Sequence, residues 1–414
     1  MKIVIMAGGK GTRIASVNSE VPKPMIQISG KPILEHQTEV LKRQGFNDFI
    51  FVIGYKGEAI SQYFGNGEKF GIKIEYVVEN EPLGTAGSFY YLRKMISEDF
   101  LLLNGDIIFD INVDKFMRAH KEHKKHGGLA TLFTHPNSHP YDSGIIKADN
   151  DGRVIDWLHK EDKRLWYKNR VNAGIHMLSC EILDRVTMPV KTDMDRDILK
   201  PLIREGRLYA YDSPEYVKDM GTPDRFYETE RELADGTVTG RNLSNKQKAV
   251  FLDRDGTINE YVGFLRNIDD FRLIDGVADA IKDFHKKGYL VIVVTNQPVI
   301  ARGEITLDEL AVIHDKMETL LGMEGTYVDD IFYCPHHPDR GFPGECPEYK
   351  IECTCRKPKP GMIFEAAQKY NIDTASSYMI GDGQNDIEAG KAAGCKTILL
   401  ENGLKLRDII SQVV

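Results

Sequence analysis

Asp253 and Asp255 stand two residues apart in Asp253-Arg254-Asp255-Gly256-Thr257, directly after the apolar run 249–252. Two carboxylates so spaced at the carboxyl end of a strand suit one as nucleophile and the other as general acid and base. Three more polar stops follow in order: Thr295-Asn296 after 289–294, the cations of Arg356-Lys357-Pro358, and Gly381-Asp382-Gly383-Gln384-Asn385-Asp386 after 378–380. The other half of the chain has its own loaded turn. Gly8, Gly9, Lys10, Gly11, Thr12 and Arg13 follow the run 3–6. Glycines there let backbone N–H groups approach phosphates, and Arg13 can neutralise a leaving pyrophosphate. Lys23, in Pro22-Lys23-Pro24-Met25, lies within reach of the same phosphates. Asp106 closes the run 100–103, and Asp219 lies in Lys218-Asp219-Met220-Gly221-Thr222-Pro223. Two such aspartates can share one Mg²⁺ on nucleotide phosphates. Four of the six cysteines fall in one window. Cys334, with His336 or His337, and the pair Cys353 and Cys355 make a Cys-x-His…Cys-x-Cys set, a closed tetrahedral zinc shell of structural type.

These groups need scaffolds that end strands in chemistry. Apolar runs at 3–6, 49–53, 74–78 and 100–103 alternate with helical stretches such as 32–45, and the pattern repeats at 249–252, 289–294, 378–380 and 396–400 with helices at 277–288 and 361–371. Strand alternating with helix predicts parallel sheets with ligands at the carboxyl ends of the strands. The 414 residues, 42% hydrophobic and 28% charged, exceed one typical domain and exclude a mainly disordered chain. We read residues 1–235 as one domain, the polar stretch 236–247 as a linker and 248–414 as a second domain. The net charge of −8, with no long basic block, argues against a nucleic-acid partner. No apolar run reaches the roughly 20 residues of a membrane span, so no membrane partner is expected. The N-terminal residues lack the form of a signal peptide, which predicts a cytoplasmic protein. The oligomeric state stays open, a homo-oligomer included.

Gly-Gly-x-Gly-Thr-Arg at 8–13, Lys23, Asp106, Asn172-Ala173-Gly174 and the Asp219–Pro223 close together resemble the sugar-1-phosphate nucleotidyltransferases. The resemblance implies that a sugar 1-phosphate attacks the α-phosphorus of a nucleoside triphosphate. Gly8, Gly9, Gly11, Thr12, Arg13 and Lys23 would serve the phosphates, and Asp106 and Asp219 would hold Mg²⁺. Gly144 and Asn172 fall in the family's sugar-contacting segments. The family's compact Glu-Lys-Pro is absent here, and Glu161 and Lys163 are assigned to the sugar phosphate in its place. The stretch Glu79–Gly87 resembles the base-reading loop, with Gly84 and Thr85 beside the nucleotide. A carboxylate at Glu79 accepts from guanine N1–H and N2–H₂ but would face lone pairs on adenine or uracil, which points to GTP.

The four stops of the second half resemble the haloacid-dehalogenase (HAD) superfamily of phosphohydrolases. That implies nucleophilic Asp253, acid and base Asp255, phosphoryl-holding Thr295 and Lys357, and Mg²⁺ on Asp253, the Asp255 carbonyl and Asp382, with Asp386 orienting the shell. The cysteine window narrows the resemblance to the heptose 1,7-bisphosphate 7-phosphatases and the similar histidinol phosphatases, whose pattern favours His336 over His337 for zinc. Asn296, Arg302 and Arg356 are then candidates for binding substrate, the two arginines for its second phosphate. The implied fold is α/β in two domains: a Rossmann-like nucleotidyltransferase with a mixed, mostly parallel sheet, and a HAD-like parallel domain with a zinc loop. A heptose 7-phosphatase makes the heptose 1-phosphate that a nucleotidyltransferase needs, and the Gly-Gly-x-Gly-Thr-Arg type belongs to the GDP-heptose route. The expected function is therefore bifunctional: heptose 1,7-bisphosphate to heptose 1-phosphate, then with GTP to GDP-D-glycero-α-D-manno-heptose. The rivals are another sugar phosphate with UTP or a different nucleotide, a histidinol-phosphatase-like second half, and one inactive regulatory half.

Overall fold

The computed structural model describes residues 1–9, 20–341 and 343–414. Gly11, Thr12 and Arg13 lie outside the described residues. The chain forms two compact units. One comprises Met1–His135, Ile146–Trp157 and Asn172–Asn242, the other Pro136–Ile145, Leu158–Val171 and Leu243–Val414.

In the first unit the strand Ile3–Met6 runs parallel to Asp48–Ile53 on one side and to Phe100–Asn104 on the other. All three are almost wholly apolar because both sheet faces are covered. Alternate residues feed two cores: Ile3, Ile5, Phe49, Phe51, Leu101 and Leu103 on one face, Val4, Ile50, Val52, Phe100 and Leu102 on the other. The helix Ile33–Arg43 carries Glu35 in its first turn and Lys42 and Arg43 in its last, which suits the helix dipole. Lys73–Val78 extends the parallel part. Val171–Leu178 pairs antiparallel with Phe100–Asn104 and makes the sheet mixed. A separate antiparallel ladder joins Ile107–Asp110 to Tyr216–Asp219 and sets Ile107 opposite Asp219.

The second unit contains a parallel sheet in the order Asp330–Cys334, Tyr289–Asn296, Lys248–Leu252, Tyr378–Gly381, Lys396–Leu399. The same period of two divides Val250, Leu252, Val291 and Val293 from Ala249, Phe251, Leu290 and Ile292. The first set packs on the helices Val277–Lys286 and Leu307–Met323, the second on Gly361–Tyr370 and Gln384–Ala393. The strand Asp330–Cys334, absent from the sequence expectation, brings Cys334 opposite Asn296. Within 236–247 the chain forms a short helix, Thr237–Gly240, and Val238, Asn242 and Leu243 are buried. Among the described residues no helix is long and apolar enough to cross a membrane.

Candidate active sites

In the second unit the four polar stops converge. Asp253 follows the central strand, and its N–H donates to the Ile380 carbonyl at 3.0 Å. Lys357, 4% exposed, donates from Nζ to Asp253 Oδ1 at 2.7 Å and to the Val294 carbonyl at 2.7 Å, and lies 2.6 Å from Asp386 Oδ1. Carboxylate oxygens of Asp253, Asp382 and Asp386 lie within 4.8 Å of one another. Three carboxylates around one ammonium leave two negative charges uncompensated, a donor set that fits a hard divalent cation. Burial, with Asp386 and Asp255 nearby, pushes the Asp253 carboxyl up to about 6 against the opposing pull of Lys357. The lysine, although burial works against its charge, is held above its ordinary value by Asp253 and Asp386. Gly256 adopts φ +81°, and a Cβ there would collide with the Asp382 carboxylate, so only glycine lets that side chain close on the site.

Asn296 clamps the backbone of Lys357, accepting from its N–H at 3.0 Å and donating to its carbonyl at 3.0 Å. Its amide thereby positions the lysine. Thr295 is buried and its hydroxyl accepts from Gln297 Nε2 at 2.9 Å. Asp255 receives Arg254 Nη2 at 2.9 and 2.8 Å, Gln297 Nε2 at 2.9 Å and Asn259 Nδ2 at 3.0 Å. Arg254 is wholly buried. The sequence reading missed Arg254, Gln297 and Asn259. The place of Arg254 between Asp253 and Asp255, and of Gln297 directly after Thr295-Asn296, were the available signals. A cleft of about 360 Å³ opens here, lined by Asp253, Asp255, Phe264, Thr295, Arg356 and Asp382 among others. Arg356 donates to the His336 carbonyl at 3.3 Å. Arg302 pairs with Glu304 at 2.9 Å and lies 4.6 Å from the ring of Phe264. Replacing Lys357 with Met leaves Asp253 and Asp386 facing each other without a cation. It is expected to destabilise the metal-free protein by about 3–5 kcal/mol, read as a lower thermal midpoint.

Beside this cleft Cys334, His336, Cys353 and Cys355 form one group. Sγ of Cys355 lies 3.2 Å from Cys334 and 3.4 Å from Cys353, and His336 Nδ1 lies 3.3 Å from Cys355 and 3.6 Å from Cys334. A tetrahedron with metal–sulfur bonds of about 2.3 Å has edges of about 3.8 Å, so the four can hold one ion with little movement. Cys346 is outside the group; its N–H donates to the Ala301 carbonyl.

In the first unit Gly8 and Gly9 leave the strand Ile3–Met6. A Cβ on Gly8 would lie 3.1 Å from Glu79 Oε2. Glu79 Oε1 is buried without a hydrogen-bond partner, and burial pushes the carboxyl up to about 7. Gly84, at φ +77°, sits against the Thr192 carbonyl, and Thr85 Oγ1 accepts from Met194 N–H at 2.6 Å. Both therefore fix the loop against the segment 190–194. Lys23 is buried and donates to Asp106 Oδ2 at 2.5 Å. The short ladder brings Asp219 to the same end: Met220 N–H donates to the Asp106 carbonyl at 2.8 Å. Arg225, which the sequence reading missed, donates to both oxygens of Asp219 at 3.0 and 2.8 Å. It stands three residues after the helix cap Thr222. Asn172 Oδ1 accepts from Gly174 N–H at 3.2 Å and faces His176 Nε2 at 3.1 Å, which leaves its amide N–H₂ to present. Gly174, at φ +71°, admits Asn104 where a Cβ would lie 2.5 Å from its Nδ2. Gly144, Glu161 and Lys163 belong to the second unit, and Glu161 and Lys163 are exposed.

The nucleotidyl transferase family model matches residues 2–236, and the HAD-hydrolase-like model matches residues 354–412. The D-glycero-beta-D-manno-heptose-1,7-bisphosphate 7-phosphatase of Yersinia pestis is 43% identical over 158 residues, 38% of this chain and 82% of that protein. The crystal structure of a putative glucose-1-phosphate thymidylyltransferase from Bacillus anthracis aligns with 56% of this chain and 95% of its own at 19% identity and a TM-score of 0.50, a likeness of fold alone. HddC from Yersinia pseudotuberculosis, complexed with GMP-PN, aligns with 56% of this chain and 99% of its own at 28% identity and a TM-score of 0.49.

Proposed function

Because the chain belongs to the nucleotidyl transferase family over residues 2–236 and, over its C-terminal part, to the heptose-1,7-bisphosphate 7-phosphatases of the HAD type, we propose that it performs two consecutive steps of nucleotide-sugar synthesis. Heptose 1,7-bisphosphate and water give heptose 1-phosphate and phosphate. Heptose 1-phosphate and GTP then give GDP-heptose and pyrophosphate. One observation carries the pairing: a 7-phosphatase leaves the C1 phosphate in place, and a C1 phosphate is what a sugar nucleotidyl transferase extends.

In the phosphatase, Asp253 attacks phosphorus and forms an aspartyl phosphate as the bond to O7 breaks. Asp255 gives its proton to that oxygen and then takes one from the attacking water. Lys357 and Thr295 hold the phosphoryl oxygens. Mg²⁺, which both families generally use, supplies charge neutralisation at the phosphates when bound, with Asp253, Asp382 and the Asp255 carbonyl as its phosphatase ligands and Asp106 and Asp219 as its transferase ligands. The group Cys334, His336, Cys353 and Cys355 takes a structural Zn²⁺, since three thiolates and one imidazole leave no open position.

For the base, Glu79 is the reader. Its buried oxygen lacks a partner, and a guanine edge supplies two donors to a carboxylate. Glu79→Gln replaces an acceptor by a donor, and an unpaired buried group costs roughly 1–3 kcal/mol. GTP efficiency is expected to fall about tenfold or more, with smaller effects on other nucleotides. The pH dependence follows in sign. The free carboxyl titrates at about 7 and only its charged form accepts both bonds. GTP affinity should therefore weaken by about tenfold per unit as pH falls below that value, stay flat above it, and lose this dependence in Glu79→Gln. A flat wild-type profile would remove Glu79 as reader. The relative's name specifies the β-anomer, whereas the glycine-loop type points to α. A matrix of four nucleoside triphosphates against both anomers of heptose 1-phosphate and other sugar 1-phosphates, read as pyrophosphate release, decides base, sugar and anomer together.

A further inference from the structure

Along residues 173–178 of the strand Val171–Leu178, His176 is the one polar side chain, and it is 3% exposed. The strand lies antiparallel to Phe100–Asn104, with His176 opposite Leu102 and Ile175 opposite Leu103. The same register sets Gly174 beside Asn104, where a Cβ would lie 2.5 Å from the asparagine Nδ2. Asn104 stands two residues before Asp106. Asn172 therefore leaves this ladder at the end where Asp106 stands. All of these residues belong to the first unit.

In a regular strand residues four apart are separated by about 13 Å, yet Asn172 Oδ1 lies 3.1 Å from His176 Nε2. Gly174, at φ +71°, departs from the extended conformation between them, and its N–H donates to the same oxygen at 3.2 Å. A backbone N–H only donates, so the atom it meets is the amide oxygen of Asn172 and not the nitrogen. An acceptor facing Nε2 in turn places the imidazole proton there. Burial pulls the ring down to about 4, so it is neutral and carries a single proton. Nδ1 is then a bare lone pair, and it is buried without a hydrogen-bond partner. A buried nitrogen left unpaired costs stability relative to an apolar side chain in the same place. What the imidazole supplies in return, among the described residues, is its bond to Asn172. With its oxygen occupied twice, the Asn172 amide is fixed in one rotation and offers both N–H bonds of Nδ2 to a ligand oxygen.

We propose that His176 is a positioning residue for nucleotidyl transfer: by donating from Nε2 to Asn172 Oδ1 it holds the Asn172 amide with Nδ2 turned to an acceptor oxygen of the sugar 1-phosphate. This role rests on the assignment of Asn172 to that substrate. In the full-length protein His176→Met removes the donor at similar volume, His176→Gln returns an N–H near the place of Nε2, and Asn172→Ala removes the group being positioned. The three variants, and the double variant of His176→Met with Asn172→Ala, are assayed for KM of heptose 1-phosphate, KM of GTP and phosphatase kcat/KM. Loss of one hydrogen bond should raise the sugar-phosphate KM about fivefold to tenfold in His176→Met, with recovery to within about threefold of wild type in His176→Gln. GTP KM and phosphatase efficiency should stay within about twofold in both. On the Asn172→Ala background His176→Met should add nothing, because two changes that act through one group do not add. Nitrogen NMR of the histidine-labelled wild type, which needs no variant to fold, should place the single His176 proton on Nε2. A proton on Nδ1, an unchanged sugar-phosphate KM in folded His176→Met, or the same added factor on the Asn172→Ala background would overturn the role of His176. An unchanged sugar-phosphate KM in Asn172→Ala would remove Asn172 from the sugar site, and the positioning role with it. Should the wild type prefer a different sugar 1-phosphate, the heptose assignment falls, and the same comparison with the preferred sugar decides the role of His176.

Discussion

Asp253→Asn is expected to abolish phosphate release from heptose 1,7-bisphosphate while transfer of GMP to supplied heptose 1-phosphate continues, and Asp106→Asn to do the reverse. Asparagine keeps the volume of Asp253 but cannot attack phosphorus, so the loss should reach about three orders of magnitude or more. The surroundings tolerate the change, because Lys357 keeps its contacts with Asp386 and the Val294 carbonyl. Asp106 pairs with Lys23 at 2.5 Å in the other unit, and its replacement removes one of two carboxylates available to Mg²⁺ there. Phosphate and pyrophosphate release, measured separately on each purified variant, check both halves. If either substitution silenced both reactions in a folded protein, the two-centre assignment would be wrong.

The second large effect is expected from Cys353→Ser. Elemental analysis should find one Zn²⁺ per wild-type chain and none in the variant. Among the described residues between His336 and Cys353, Ile351 is exposed and Tyr349 is only partly buried, so metal binding is expected to supply order there. Cys355 runs directly into Arg356 and Lys357, and Arg356 donates to the carbonyl of His336. Loss of zinc is therefore expected to displace Lys357, which donates to Asp253 at 2.7 Å. A displacement of about 1 Å costs about a hundredfold in rate, and phosphatase activity should fall by that order. Added Mg²⁺ should not restore it, and transfer to heptose 1-phosphate should continue. Full phosphatase activity in a zinc-free variant would return the cysteines to ordinary loop thiols.

By itself the sequence determined which runs become buried strands and where chemistry stops them. Ile3–Met6, Lys248–Leu252 and Tyr289–Asn296 read as continuous apolar runs because both faces of a parallel sheet are covered. The places of Asp253, Asp106 and Asp382 just past strand ends were legible because the apolar runs before them stop there. The cysteine spacing was legible because ligands of one ion must be near neighbours. The strands Ala130–His135 and Leu208–Asp212 were not, since each completes its burial by pairing parallel with the other, far away in the chain. Nor could spacing say that Asn296 clamps Lys357 across 61 positions, that Arg254 turns onto Asp255, or that Glu79 has an oxygen without a partner. The membership of Leu158–Val171 in the second unit was likewise a tertiary decision, since Arg170 and Glu318 meet across 148 positions. Periodicity records how deeply a side chain is buried; which group it is buried against depends on how the chain returns to itself, and no local pattern carries that.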